Sequence, residues 1–139
     1  MRRLFLDTNV VLDLLANRVP FVEDTSILFS LGDTGKVVLS ISSLTFANTH
    51  YVLAKVKSAS QAKSILRKFK VLVEVLPLDD KIIELALNND QFTDFEDALQ
   101  YYVALAADQQ IIITRNKKDF KASTIPVMTT HEYLASVSN

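Results

Sequence analysis

Leu4-Phe5-Leu6-Asp7-Thr8-Asn9 is an apolar run that stops on an acid, a hydroxyl and an amide. An amphipathic helix pattern follows at once, with Val10, Val11, Leu14 and Leu15 apolar and Asp13 and Asn17 polar. A buried strand running straight into a helix opens a parallel α/β sheet. Ligands of such sheets sit outside the carboxyl ends of the strands, and that is where Asp7 stands. Asp13, more than one turn beyond Asp7, reads as a surface residue.

Outward from this stretch, strands and helices alternate. Pro20 opens a second helix, and Gly32 and Gly35 close it. Lys36 to Ile41 is rich in β-branched residues and reads as a second buried strand. Ser42 or Ser43 caps the third helix, which carries Leu44, Ala47, Tyr51, Val52 and Leu53. Ser60 to Lys70 is a further helix, Val71 to Leu76 a third strand, and Asp79 or Asp80 caps a helix through Leu87. Thr93-Asp94-Phe95-Glu96 matches a Thr-x-x-Glu capping box, with Glu96 as its returning partner. Phe95, Ala98, Leu99, Tyr102, Val103 and Ala106 then recur at helical spacing. Gln110 to Thr114, which contains Ile111-Ile112-Ile113, is a fourth strand, Ile125 to Met128 form a fifth, and Thr130 to Ala135 a last helix. The alternation implies an α/β fold: a parallel sheet of about five strands between helical layers, with right-handed crossovers.

The chain has 139 residues, 49% of them hydrophobic, a formal net charge of −1 and no cysteine. That size is expected to make residues 1–139 a single domain with one core. Without cysteine there are no disulfides, thiolate zinc sites or cysteine nucleophiles, which fits a reducing compartment. Asp7 interrupts the N-terminal apolar run too early for a signal segment, and no run has the length of a membrane span. A cytoplasmic protein is expected.

Three segments set acids or amides at strand ends or helix starts. Asp7 ends the first strand. Asp94, Glu96 and Asp97 open the sixth helix. Asn116 and Asp119 follow the fourth strand. Brought together, these acids form a like-charged cluster that needs a cation, and oxygen ligands suit Mg2+ or Mn2+. Such ions activate water and neutralise phosphate charge. His50 and His131 show no ligand spacing. From Lys55 to Val73 there are six bases and no acid. Lys63 and Arg67 in that run, with Arg115 and Lys117 later, are candidate contacts to the phosphates of a nucleic-acid backbone.

Leu-Phe-Leu-Asp-Thr-Asn, then Asp-Phe-Glu-Asp-Ala-Leu, then Ile-Ile-Thr-Arg-Asn-Lys-Lys-Asp-Phe resemble the PIN domain, in that family's order and spacing. The resemblance runs from Leu4 to about Leu134. It implies a three-layer α/β/α sandwich and a metal-dependent ribonuclease, including the toxins of VapBC-type toxin–antitoxin pairs. By motif, Asp7 and Asp97 match the first and third acids of the metal site, and Asp94 is added as a metal ligand. Thr114 matches the hydroxyl residue after the fourth strand. Asn116 stands where the fourth acid often follows Thr-Arg, which leaves Asp119 as the nearest carboxylate. Asn48 replaces the usual Glu of the third helix. Asn9 is an orienting partner. The resemblance further implies RNA as substrate, an antitoxin protein as partner and a homodimer. The competing expectation is a PIN-like RNA-binding or protein-binding module with weakened catalysis, and Asn48 is the residue that favours it.

Overall fold

The computed structural model describes residues 1–138. The strands are β1 (Arg2–Leu6), β2 (Val37–Ser42), β3 (Glu74–Leu76), β4 (Ile111–Ile113) and β5 (Val127–Met128). The helices are α1 (Thr8–Leu15), α2 (Val22–Asp33), α3 (Ser43–Val56), α4 (Ala59–Phe69), α5 (Asp80–Leu87), α6 (Phe95–Ala106) and α7 (Thr130–Val137). All strand pairs are parallel, in the order β3-β2-β1-β4-β5.

Alternate residues of one strand serve two separate cores. Leu4 and Leu6 pack with Val10, Leu28, Phe29, Leu53, Leu66 and Tyr133 on the face covered by α1, α2, α3, α4 and α7. Phe5 points the other way, among Ile82, Ala86, Leu99, Val103 and Phe120, under α5 and α6. Ile111 and Ile113 against Ile112 repeat that division. Helices on both faces explain why these strands are apolar throughout rather than alternating. Each fully buried large apolar side chain of β1 contributes about 1.5–3 kcal/mol, so the central strand is held firmly in place. The three-layer parallel α/β architecture expected from the alternation is thus observed, with five strands.

Local chemistry sets the element ends. Ser42 caps α3 by accepting from Leu44 N–H at 3.1 Å, and Asp79 caps α5 by accepting from Ile82 N–H at 3.0 Å. Some boundaries differ from expectation. Gly32 does not end α2; it lies inside it, where a Cβ would come within 2.7 Å of a Leu39 side-chain carbon. Its role is to let the helix approach β2. Gly35, at φ +76°, does make the turn out of the helix. Pro20 precedes α2 by two residues rather than opening it. The third strand begins at Glu74, because Lys70–Leu72 form a 3-10 turn.

Strand order reverses at β1. The chain leaves β1 for β2 on one side, while β4 lies on the other. Such a switch point leaves a crevice at the carboxyl ends of the two central strands, and Asp7 and Thr114 are the residues that end them.

Candidate active site

The floor of this crevice is a fixed carboxylate. Asp7 N–H continues the ladder to the Ile113 carbonyl at 3.0 Å, and Thr114 N–H does the same to Met128 at 3.0 Å. The Thr114 hydroxyl donates to Asp7 Oδ2 at 2.8 Å, and Asn9 Nδ2 donates to the same oxygen at 3.3 Å. Thr8 N–H donates to Asp7 Oδ1 at 2.8 Å, so Asp7 also caps α1. Thr114 is in turn oriented by Asn116 N–H, which donates to its Oγ1 at 3.1 Å. Burial raises the Asp7 pKa; the hydrogen bonds from Thr114 and Thr8 pull it down, and the charges of Asp119 and Asp94 add to the rise.

The rim is built by the start of α6. Asp94 caps that helix, accepting from Glu96 N–H at 2.8 Å. Thr93 is therefore not the cap, and the capping box expected at 93–96 does not form. Glu96 turns instead toward α3, where its Oε1 accepts from Asn48 Nδ2 at 2.7 Å. Its pKa is raised by partial burial and then by the charges of Asp94 and Asp7, against a lowering by Asn48. Asp97 is pushed up to about 7, first by burial and then by Asp94, Asp7, Asp119 and Glu96. The acids from β1, α6 and the turn after β4 thus lie within electrostatic reach of one another. Asn48 meets them through Glu96.

Other expectations are corrected. Asp13 is not a surface residue: it is 2% exposed and binds Arg115, whose Nε and Nη2 donate to its two carboxylate oxygens at 2.8 and 3.1 Å. The same guanidinium lies over the Phe21 ring, 4.1 Å from its centroid. Arg115 is thus tied to α1 rather than extended as a phosphate contact. Lys117 pairs with Glu132 at 3.1 Å on the surface. Lys63 and Arg67 are exposed on α4, one turn apart. Sequence reasoning counted Glu96 among the acids at the start of α6 but assigned it to a capping box rather than to the site. The available signal was Asp94, which competes with Thr93 for the cap and frees Glu96 if it wins. Sequence reasoning missed Gln100, a fully buried amide on the apolar face of α6, visible in the sequence as a polar residue inside an apolar stripe.

Asp7, Asp94, Glu96, Asp97 and Asp119 form no ion pair among the described residues. An oxygen-only donor set with uncompensated negative charge fits a hard divalent cation such as Mg2+ or Mn2+. Among the described residues, however, no three acid or imidazole groups are gathered tightly enough to grip an ion as they stand. The like charges face one crevice without having closed on one point.

A family model described as PIN domain matches residues 3–118. The chain is 30% identical over 139 residues to Ribonuclease VapC1 of Aquifex aeolicus (strain VF5), a match covering 94% of this chain and 92% of that one. This chain belongs to the PIN-domain family and is a homologue of the VapC ribonucleases, which are hydrolases. Among solved structures, it superposes on a chain of DNA-bound VapBC from Salmonella typhimurium with a TM-score of 0.69 and 22% identity, covering 94% of this chain and 99% of that one. VapBC2 from Rickettsia felis, bound to a promoter DNA fragment, gives a TM-score of 0.68 at 21% identity, covering 91% and 98%. These structural neighbours are toxin–antitoxin complexes, and they share the fold.

Proposed function

We propose that this chain is an endoribonuclease that hydrolyses RNA phosphodiester bonds at the crevice between β1 and β4, with Mg2+ or Mn2+, as the toxin of a toxin–antitoxin pair. The observation that carries the reading is a set of five acids at one crevice, within electrostatic reach of one another and in no ion pair among the described residues, which pushes Asp97 up to about 7. Asp7, Asp97 and Asp94 are the residues proposed to hold the cation. Glu96 joins them, steered by Asn48, and Asp119 completes the negative field. A divalent ion bound there supplies Lewis acidity and a water of lowered pKa.

The chain's own residues do the positioning. Thr114 and Asn9 fix the Asp7 carboxylate so that its acceptor directions are set before substrate arrives, which lowers the reorganisation needed in the reaction. Asn116, exposed and bonded to Thr114 through its backbone N–H, is the residue we assign to donate its side-chain amide to a phosphate oxygen. Lys63 and Arg67 offer charge to the RNA backbone, a contribution that weakens with salt. The ribonuclease relative supports RNA as substrate, and the toxin–antitoxin neighbours support a small antitoxin as partner and work inside the cell. Exposed Ile83 and Leu87, one turn apart on α5, support a homodimer through an apolar face.

A second reading, a PIN-fold RNA-binding or protein-binding module of weakened activity, has two observations on its side: the amide at Asn48 and the open spacing of the acids. Cleavage of varied RNAs in Mn2+ by the purified chain, free of any partner, tests the two. We expect cleavage by the wild type and none by Asp7→Asn or Asp97→Asn. A wild type inert with either metal supports the binding module instead.

A further inference from the structure

Behind the acids, polar side chains from three elements meet in the interior. Gln100 on α6 is 1% exposed. Its Nε2 donates to Thr8 Oγ1 and to Thr45 Oγ1, each at 3.2 Å. The two hydroxyls are themselves 3.2 Å apart, so the three groups form a closed triangle. Each member is rigidly tied to a residue of the crevice. Thr8 follows Asp7 directly. Thr45 lies three residues before Asn48 on α3, and Gln100 three after Asp97 on α6, the spacing that places helical side chains on one face.

Stability alone does not account for this triangle. Gln100 Oε1 is buried without a hydrogen-bond partner, which is costly for an acceptor taken out of water. The neighbouring buried positions on α6 include Ala98, Leu99, Val103 and Ala104, all apolar. A methionine at position 100 would fill the same space without an unsatisfied polar atom. What an apolar side chain could not do is hold α6 in register against both the start of α1 and α3. Acids contributed by separate elements must be held within a fraction of an ångström to act on one ion.

We propose that Gln100 is a positioning residue: with Thr8 and Thr45 it locks the first turn of α1, which Asp7 caps, the first turns of α3 and the start of α6 at the spacing from which Asp7, Asp97 and Glu96 can converge on one divalent cation. This rests on the cation-dependent reading above. Gln100 touches neither the cation nor the RNA; it acts through the placement of the elements that carry the acids.

The test uses the full chain, with Mn2+ alone as the probe in calorimetry and thermal melts of chelator-treated protein alongside. Gln100→Met conserves volume and removes both the donor and the unsatisfied acceptor. The expected result is Mn2+ binding weakened roughly 10–100-fold, as for residues that orient metal ligands, with the metal-free melting temperature unchanged or raised. Thr45→Val should weaken binding in the same way, and Thr45→Ser, which keeps the hydroxyl, should restore it. Should Gln100→Met fail to fold, the Thr45 pair decides. Wild-type Mn2+ affinity in folded Gln100→Met, or in Thr45→Val, overturns the proposal and leaves the triangle a packing feature. A wild type that binds no Mn2+ overturns the cation reading itself, an outcome seen before any variant is made.

Discussion

Asp13 and Asp97 are acids on two helices at the same end of the sheet, and the molecule treats them in opposite ways. Asp13 is almost completely buried, yet both its oxygens are met by the Arg115 guanidinium, which Phe21 supports from beneath. Asp97 is less buried, has no ion pair among the described residues and faces four other acids that raise its pKa to about 7. Depth of burial therefore does not mark the working acid. The mark is charge left without a partner. A paired buried carboxylate is part of the framework; an unpaired group of carboxylates is a site that a cation completes.

The largest expected effect separates the two acids by activity. Asp97→Asn removes a proposed cation ligand, worth several kcal/mol of transition-state stabilisation. RNA cleavage in Mn2+ should fall on the order of a hundredfold or more, while the fold survives. The converse change is Arg115→Ala, which strands Asp13 in the interior. Removing one partner of a buried ion pair costs about 3 kcal/mol, and urea unfolding should show that loss. A loss no larger than that of a surface substitution would erase the distinction between the two regions.

Caps sharpen the comparison at smaller scale. Asp79 and Asp94 both accept a helix-start N–H, and the charge of Asp94 also raises the pKa of Glu96 and of Asp97. Asp79→Ala should lose the full value of a cap, about 1 kcal/mol. Asp94→Ala should lose less in metal-free protein, because relief of repulsion at Asp97 and Glu96 offsets the lost cap. Equal losses by denaturant unfolding would mean that the acids at the start of α6 are not under mutual strain.

The smallest effect is on pH dependence. The folded pKa of Asp97, about 7, lies above the ordinary 3.8. The folded state thus binds more protons than the unfolded chain between those values. The stability this gives is fully present below about pH 4 and is lost as pH rises through 7. Asp7 and Glu96 shift in the same direction. Metal-free melting temperature should therefore fall from pH 5 to pH 8 in the wild type, and fall less in Asp97→Asn.

Much of this was legible in the chain. Leu4 to Asp7, Ile111 to Thr114 and the start of α6 announced themselves because a two-sided parallel sheet needs uninterrupted apolar strands, and its crevice needs polar residues directly after them. Asp13 was misread because its partner is distant in sequence: Arg115 reaches α1 only because β4 lies beside β1, and no spacing reveals that order. Glu96 was misread because a capping motif can be satisfied one residue over, and Asp94 takes the position that Thr93 was expected to hold. The Gln100 triangle joins residues from three elements, so its meaning appears only once α3 and α6 are packed against the start of α1.

The central claim is that the acids of this crevice await a divalent cation. Calorimetric titration of metal-free protein with Mn2+ at pH 8 and at pH 5.5 tests it most directly. Protons and metal compete for the same carboxylates, so with Asp97 titrating near 7 the account predicts binding at pH 8 that weakens by roughly 30-fold at pH 5.5. Equal affinity at the two pH values, or none at pH 8, would contradict it.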